Sequence, residues 1–187
     1  MSNRFDIIAT PLQGLAVVQR KPLGDARGYL ERVFCAEDLS VVFAGRPVSQ
    51  INHTLTAGAG TVRGMHFQLP PHAEFKLVSC LRGEVFDVAV DLRKGSPSFL
   101  QWHAEVLGAD NHRSLAIPEG FAHGFQTLTP DCEMLYLHTA PYAPGFEGAL
   151  NARDPLLGIR WPLPISGLSP RDNNHPMLTD RFHGIDI

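Results

Sequence analysis

Glu84-Val85-Phe86-Asp87-Val88-Ala89-Val90-Asp91-Leu92 is the stretch on which the fold turns. Its period is two: Phe86, Val88, Val90 and Leu92 fall on one face, with Asp87 and Asp91 on the other, as in a β-strand with one apolar side. Arg93-Lys94-Gly95-Ser96-Pro97 then breaks it. Outward from this strand the same rhythm recurs. It predicts further strands over 75–81, 101–107, 114–117, 124–128 and 133–139, separated by turn residues. Many short strands at this spacing indicate a sandwich, barrel or jelly roll rather than an α/β fold. Upstream, Leu15-Ala16-Val17-Val18 is β-prone and Gly24-Asp25-Ala26-Arg27-Gly28 reads as a turn. A short helix is predicted over 36–44, where Leu39, Val42 and Phe43 share a face and Gly45 can end it. After Ala140 the chain becomes Pro- and Gly-rich, and Trp161-Pro162 and Leu163-Pro164 do not suit a central strand. The expected organisation is one all-β domain over 1–187: an N-terminal arm (about 1–60), a barrel core (about 61–140) and a C-terminal wrap (about 141–187), with short flanking helices.

Composition narrows the function classes. Hydrophobic residues at 44% and charged residues at 19% give an ordinary globular balance. A formal net charge of -3 offers no basic stripe for nucleic acid. No apolar run has the length of a membrane span, and Met1-Ser2-Asn3-Arg4-Phe5-Asp6 lacks the apolar stretch of a secretion signal. Cys35, Cys80 and Cys132 are widely spaced, with no CxxC pair, so neither a disulfide framework nor a zinc knuckle is expected. Cys80 reads as a buried thiol, and a reducing cytoplasm as the compartment. There is no P-loop, no dinucleotide-type glycine loop and no G-x-S-x-G elbow.

The chemistry concentrates in two runs, Thr61-Val62-Arg63-Gly64-Met65-His66-Phe67-Gln68 and Pro118-Glu119-Gly120-Phe121-Ala122-His123-Gly124-Phe125, with Lys76 between them. Cationic and imidazole groups inside β-prone apolar runs are costly unless partnered, so both runs are expected to line one polar cavity. His66 is the candidate base, beside the alternative of a satisfied core histidine. Alternation puts His66 with Gly64 and Gln68 and puts Arg63 opposite, so both reach one cavity only if the strand bulges, with Gly64 the place for it. Tyr136 shares a face with Met134 and His138 and reads either as a core aromatic or as a phenolic acid. A buried histidine base needs an orienting acceptor on its second nitrogen, and Asp172 is one of several acids able to serve.

Together these residues are similar to a known family. The chain resembles the dTDP-4-dehydrorhamnose 3,5-epimerases, a cofactor-free branch of the cupin-type jelly-roll barrels. The likeness rests on Arg63-Gly64-Met65-His66-Phe67-Gln68 and Ile117-Pro118-Glu119-Gly120-Phe121-Ala122-His123-Gly124-Phe125. Asp25-Ala26-Arg27-Gly28-Tyr29-Leu30-Glu31, Gln50-Ile51-Asn52 and Lys76-Leu77-Val78 extend it, as do Gly83 to Arg93, Tyr142 with Glu147, and Ser169 with Asp172. The segment Ala149-Leu150-Asn151-Ala152-Arg153-Asp154-Pro155 departs from the family in lacking a tryptophan. The resemblance implies that His66 is the base, Asp172 its orienting partner and Tyr136 the acid on the opposite face of a sugar ring. Arg63 and Lys76 would hold the C4 oxygen, with His123 in the same pocket. Arg27, Glu31, Gln50, Asn52, Tyr142 and Glu147 would contact the sugar nucleotide or shape its site. It also implies a cytoplasmic homodimer with exchanged N-terminal arms, converting dTDP-4-dehydro-6-deoxyglucose to dTDP-4-dehydrorhamnose for a cell-surface polysaccharide, without metal or other cofactor. Three alternatives stand beside this. One is a C3-only epimerase or a relative with another nucleotide sugar. Another is a metal-dependent cupin enzyme using His66, His72 and His123. The third is a sugar-nucleotide-binding jelly roll without turnover.

Overall fold

The computed structural model describes residues 4–187. Its strands are β1 (Phe5–Ala9), β2 (Ala16–Arg20), β3 (Leu23–Asp25), β4 (Gly28–Leu30), β5 (Gln50–Thr56), β6 (Val62–Gln68) and β7 (Lys76–Arg82). They continue with β8 (Glu84–Asp91), β9 (Trp102–Gly108), β10 (Arg113–Ile117), β11 (Phe121–Thr127), β12 (Cys132–His138) and β13 (Glu147–Ala149). Two one-turn helices, α1 (Ser40–Phe43) and α2 (Pro170–Asn173), flank them. A six-stranded sheet in the order β1-β2-β10-β7-β12-β5 faces a five-stranded sheet in the order β13-β6-β11-β8-β9. The pairings within both sheets are antiparallel, which gives the expected jelly roll.

Three apolar clusters hold the layers together. Between the sheets lie Val17, Val78, Cys80, Val85, Ala89, Leu115, Phe125 and Met134, with Tyr136 packed at their margin. Over the outer face of the six-stranded sheet, Leu39 and Phe43 of the α1 region cover Val18, Phe75, Leu77 and Leu137. Over the outer face of the five-stranded sheet, Leu150, Ala152, Leu157 and Trp161 cover Val62, Met65, Val88 and Val90. Burying one such large apolar side chain contributes about 1.5–3 kcal/mol, so the C-terminal wrap is part of the core.

Several expectations change in detail. The first sixty residues do more than form an arm, because β1, β2 and β5 belong to the six-stranded sheet. The helix predicted over 36–44 narrows to Ser40–Phe43. Ala44 and Gly45 take left-handed φ values of 49° and 72° and stop it. The predicted turn at 24–28 is the tip of the β3–β4 hairpin. Alternation in β8 is as read, but neither face meets water. Phe86, Val88, Val90 and Leu92 lie under the C-terminal wrap, while Asp87 and Asp91 point the other way and are both 0% exposed.

Asp91 is satisfied locally. It accepts from the Arg93 backbone N–H (3.0 Å), Arg93 Nη2 (2.7 Å), Ser96 Oγ (2.6 Å) and Ser98 Oγ (2.7 Å). Burial alone would raise its pKa; these donors outweigh burial and pull it down to about 2. Burial, reinforced by neighbouring Cys132, pushes the Cys80 thiol up to about 12, which leaves it inert. Cys80 is thus the buried thiol the sequence predicts.

Candidate active site

A cavity of about 630 Å³ opens between the sheets, and His66, Arg63, Lys76, His123, Tyr136 and Asp172 all line it. The bulge needed to bring Arg63 and His66 together is present in β6. His123 pairs with His66 while Phe125 pairs with Arg63, so two steps along β11 match three along β6. Gly64 occupies the extra position at φ +132°, where a Cβ would sit 2.5 Å from Gly124 Cα and 2.9 Å from the His123 carbonyl oxygen. Only glycine fits that approach.

His66 stands on β6, and its orienting carboxylate comes from the far end of the chain. His66 Nε2 lies 2.7 Å from Asp172 Oδ1, across 106 residues of sequence. Asp172 is 4% exposed and sits in the first turn of α2. Ser169 caps that turn, its Oγ accepting the Asp172 backbone N–H at 3.0 Å. With Nε2 committed to Asp172, Nδ1 is the ring nitrogen left to take a proton. Burial lowers the His66 pKa below its ordinary value, and Asp172 offsets only part of that. The imidazole is therefore neutral at pH 7, the form a general base requires.

The opposite wall is supplied by β7 and β12 of the six-stranded sheet. Tyr136 lies edge-on to His123 and stacked on His138, both with ring centroids 6.1 Å away. Burial, assisted by the Asp87 charge, raises its pKa, so the phenol keeps its proton. His123 Nε2 is 2.8 Å from Asp87 Oδ1. Lys76, 7% exposed, pairs with Glu74 Oε1 at 3.1 Å. Arg63 Nε donates to Thr56 Oγ1 at 2.9 Å. Arg63 and Lys76 are thus two cations fixed on this part of the cavity, which favour negative charge developing on a bound ligand.

The remaining expected residues divide into two groups. Asn52, Tyr142 and Glu147 line the cavity. Gln50 stands behind them, donating from Nε2 to Asn52 Oδ1 (3.1 Å) and accepting the Tyr142 backbone N–H (2.9 Å). Tyr142 Oη donates to Glu147 Oε2 at 2.8 Å, and Arg171 Nη2 binds the same oxygen. Arg27 and Glu31 are not brought to the cavity of their own chain. Arg27 has a 90% exposed side chain and pairs with Asp25 at the hairpin tip. Glu31 pairs with Arg20 (3.2 Å) and His112 (2.8 Å). Glu74, His138, Arg171 and His175 belong to the site's polar groups although nothing in the sequence marked them as such. The nearest signals were the shared strand face of Tyr136 and His138 and the adjacency of Arg171 to Asp172.

The alternative ligand set His66, His72 and His123 does not converge. His72 packs against Phe146 with ring centroids 4.4 Å apart and planes tilted by 43°, and His123 is bonded to Asp87. Among the described residues, the group with metal-ligand spacing is His66, Asp172 and His175, whose donor atoms lie within 4.8 Å of one another.

Comparison with known proteins places the chain in a family. The family model described as dTDP-4-dehydrorhamnose 3,5-epimerase matches residues 9–180. A dTDP-4-dehydrorhamnose 3,5-epimerase of Pseudomonas aeruginosa is 46% identical over 160 residues, covering 84% of this chain and 87% of that protein. The crystal structure of a Legionella pneumophila dTDP-6-deoxy-D-glucose-3,5-epimerase in complex with dTDP-4-keto-L-rhamnose superposes with a TM-score of 0.90 at 36% identity, covering 98% of each chain. A 3'-monoepimerase from Streptomyces bikiniensis, solved with dTDP-quinovose, superposes with a TM-score of 0.82 at 34% identity, covering 91% of this chain and 86% of that one. With the jelly roll, the Arg63–His66 bulge and the His66–Asp172 pair in place, this chain belongs to the dTDP-4-dehydrorhamnose 3,5-epimerase family.

Proposed function

We propose that the protein epimerises a nucleotide-linked 4-keto-6-deoxyhexose, converting dTDP-4-dehydro-6-deoxyglucose to dTDP-4-dehydrorhamnose. The observation that carries this reading is the His66–Asp172 pair, at 2.7 Å, in one cavity with the protonated phenol of Tyr136. A proton on carbon beside a ketone is a weak acid because the carbanion is poorly stabilised in water. His66 removes that proton, and Arg63 and Lys76 stabilise the enolate oxygen in a preorganised field. Tyr136, on the facing sheet, returns a proton to the other side of the ring, and inversion follows. Asn52, Tyr142 and Glu147 hold the sugar nucleotide, with Gln50 behind them and His123 packed against the phenol.

The active species is proposed to be a cytoplasmic homodimer with exchanged N-terminal arms, serving rhamnose and surface-polysaccharide synthesis. The edge strand β5 exposes Ile51 (61%) and Leu55 (55%), and the β3–β4 hairpin exposes Tyr29 (62%) and Leu30 (69%). Uncovered apolar edges of this kind are normally paired or covered. Arg27, projecting from the hairpin tip away from its own cavity, then serves the partner's site, with Glu31 anchoring the hairpin base to Arg20 and His112. No helix among the described residues is long and apolar enough to cross a membrane.

The test is incubation with dTDP-4-keto-6-deoxyglucose in D2O, read by NMR. Deuterium at C3 and C5 with a new L-configured product supports the proposal; binding without exchange at any ring carbon sinks it. The likeness to a 3'-monoepimerase favours a second, narrower reading, in which exchange is confined to C3.

A further inference from the structure

Lys76 is held by a partner that is itself held. A lysine stem is flexible and its ammonium is a rotating point charge, so a fixed carbonyl clamp needs something to pin it. Here Glu74 Oε1 takes Lys76 Nζ at 3.1 Å, and Glu74 Oε2 takes His138 Nδ1 at 2.8 Å. His138 Nε2 is 3.3 Å from Asn52 Nδ2, Asn52 Oδ1 is 3.1 Å from Gln50 Nε2, and Gln50 Oε1 is 2.9 Å from the Tyr142 backbone nitrogen. The Glu74 and His138 side chains are 8% and 12% exposed, and both line the cavity.

The direction of this chain is fixed from one end. A backbone N–H can only donate, so Gln50 presents its oxygen to Tyr142 and its amide hydrogens to Asn52. Asn52 must then present its own amide hydrogens to His138. The imidazole therefore accepts at Nε2 and donates from Nδ1, as a neutral ring of one tautomer. Every donor, from both sides, points at the Glu74 carboxylate. Burial alone would raise the Glu74 pKa, yet His138 and Lys76 hold it below its ordinary value. Tyr142 also binds Glu147, which binds Arg171, the neighbour of Asp172. The cavity rim thus lies between two carboxylate–imidazole pairs.

We infer that Glu74 and His138 are positioning residues, a third carboxylate–imidazole pair that fixes the Lys76 ammonium in the cavity and ties it through Asn52 and Gln50 to the Tyr142 rim. What Lys76 does there rests on the epimerase reading above; the arrangement of the relay does not. The pair acts through Lys76, so its loss misplaces a charge that stabilises the enolate; loss of His138 also frees the Asn52 amide. Misplacement on the scale of 1 Å costs about a hundredfold in rate.

Two measurements on the full-length protein decide the point. Nitrogen-15 imidazole NMR of the ligand-free protein is expected to show His138 as the Nδ1–H tautomer, and an Nε2–H ring would overturn the inference. In the D2O exchange assay, Glu74→Gln and His138→Leu are expected to lower kcat about ten- to hundredfold, with KM staying within about threefold for Glu74→Gln. The double variant should be no worse than the poorer single one, and His138→Gln, able to donate to Glu74 and accept from Asn52, should recover part of the loss. Folded single variants with unchanged kcat, or losses that multiply in the double variant, overturn the inference. Absence of any exchange in the unsubstituted enzyme overturns the epimerase reading instead, and the tautomer alone then decides the relay.

Discussion

His66 and His123 are direct partners across the β6–β11 pairing, yet each is bonded to a different carboxylate at nearly the same distance. His66 meets Asp172 at 2.7 Å, and His123 meets Asp87 at 2.8 Å. Exposure separates their roles: the His66 side chain is 32% accessible, that of His123 only 7%. A base must reach a ligand, and of the two His66 is the more open to one. His123 and Asp87 form a nearly buried pair beside Tyr136.

Replacing Asp172 by asparagine should lower kcat by about 10²–10⁴-fold, because the ring loses both its orientation and the charge that stabilises its protonated form. The pH profile carries the same information. Burial depresses the His66 pKa below 6.5, so the base is neutral and competent above its folded-state value and is lost by protonation as pH falls through it. The acid limb of kcat/KM should therefore lie below pH 6.5 in the unsubstituted enzyme. Asp172→Asn should move it lower still, since Asp172 is the group that raises the value. A limb that moves upward would contradict the pair as described.

Tyr136→Phe separates proton removal from inversion. His66 still abstracts and exchanges its proton with solvent, so deuterium should enter the ring with retained configuration, while epimer formation falls about 10²–10⁴-fold. Stereochemical analysis of the recovered sugar by NMR checks this. Undiminished inversion would remove Tyr136 from the acid role.

Gly64→Ala should destabilise the fold by about 2 kcal/mol or more, because a Cβ at φ +132° meets the Gly124 backbone at 2.5 Å. It should also abolish exchange where the protein remains folded, since Arg63 and His66 share the cavity only through this bulge. Thermal melts and the D2O assay read the two effects separately.

Asp91→Asn tests the strand-ending turn. The folded-state pKa of about 2 lies below the ordinary 3.8, so the stabilisation, about 2 kcal/mol, is complete above roughly pH 4 and fades as pH falls toward 2. The gap in melting temperature between the unsubstituted protein and the variant should be widest near neutrality and shrink over that acid window.

Exchanged arms predict complementation. Mixing and reassembling His66→Ala with Arg27→Ala chains should restore about a quarter of full activity, because half the dimers are hybrids and each hybrid holds one intact site. Two inactive parents that give an inactive mixture would keep Arg27 within its own subunit.

Much of this was legible before any coordinates, and the reasons are physical. Strict alternation in β8 and the turns after it mark strands in any context, so an all-β sandwich, barrel or jelly roll followed from them, and the family resemblance narrowed this to a jelly roll. Arg63 and His66 looked incompatible by the same alternation; the glycine between them was the clue, and the bulge resolves it. Asp172 could not be singled out from spacing, because its role depends on a loop folding back across 106 residues. Glu74 was hidden in a proline-flanked segment, and its partner His138 comes from a strand that is a neighbour only in space. Asp87 and Asp91 read as the polar side of a strand, yet both are buried: Asp91 is ringed by donors from Arg93, Ser96 and Ser98, while Asp87 meets His123 and leaves Oδ2 unpartnered.

The carboxylate that steers His66 is synthesised 106 residues after the imidazole itself. Until the turn at Pro170–Asn173 docks, a nascent jelly roll possesses its imidazole and its cations but no steering. Competence of the proposed base in this protein consequently waits on that turn, and a chain cut before it would yield an idle barrel.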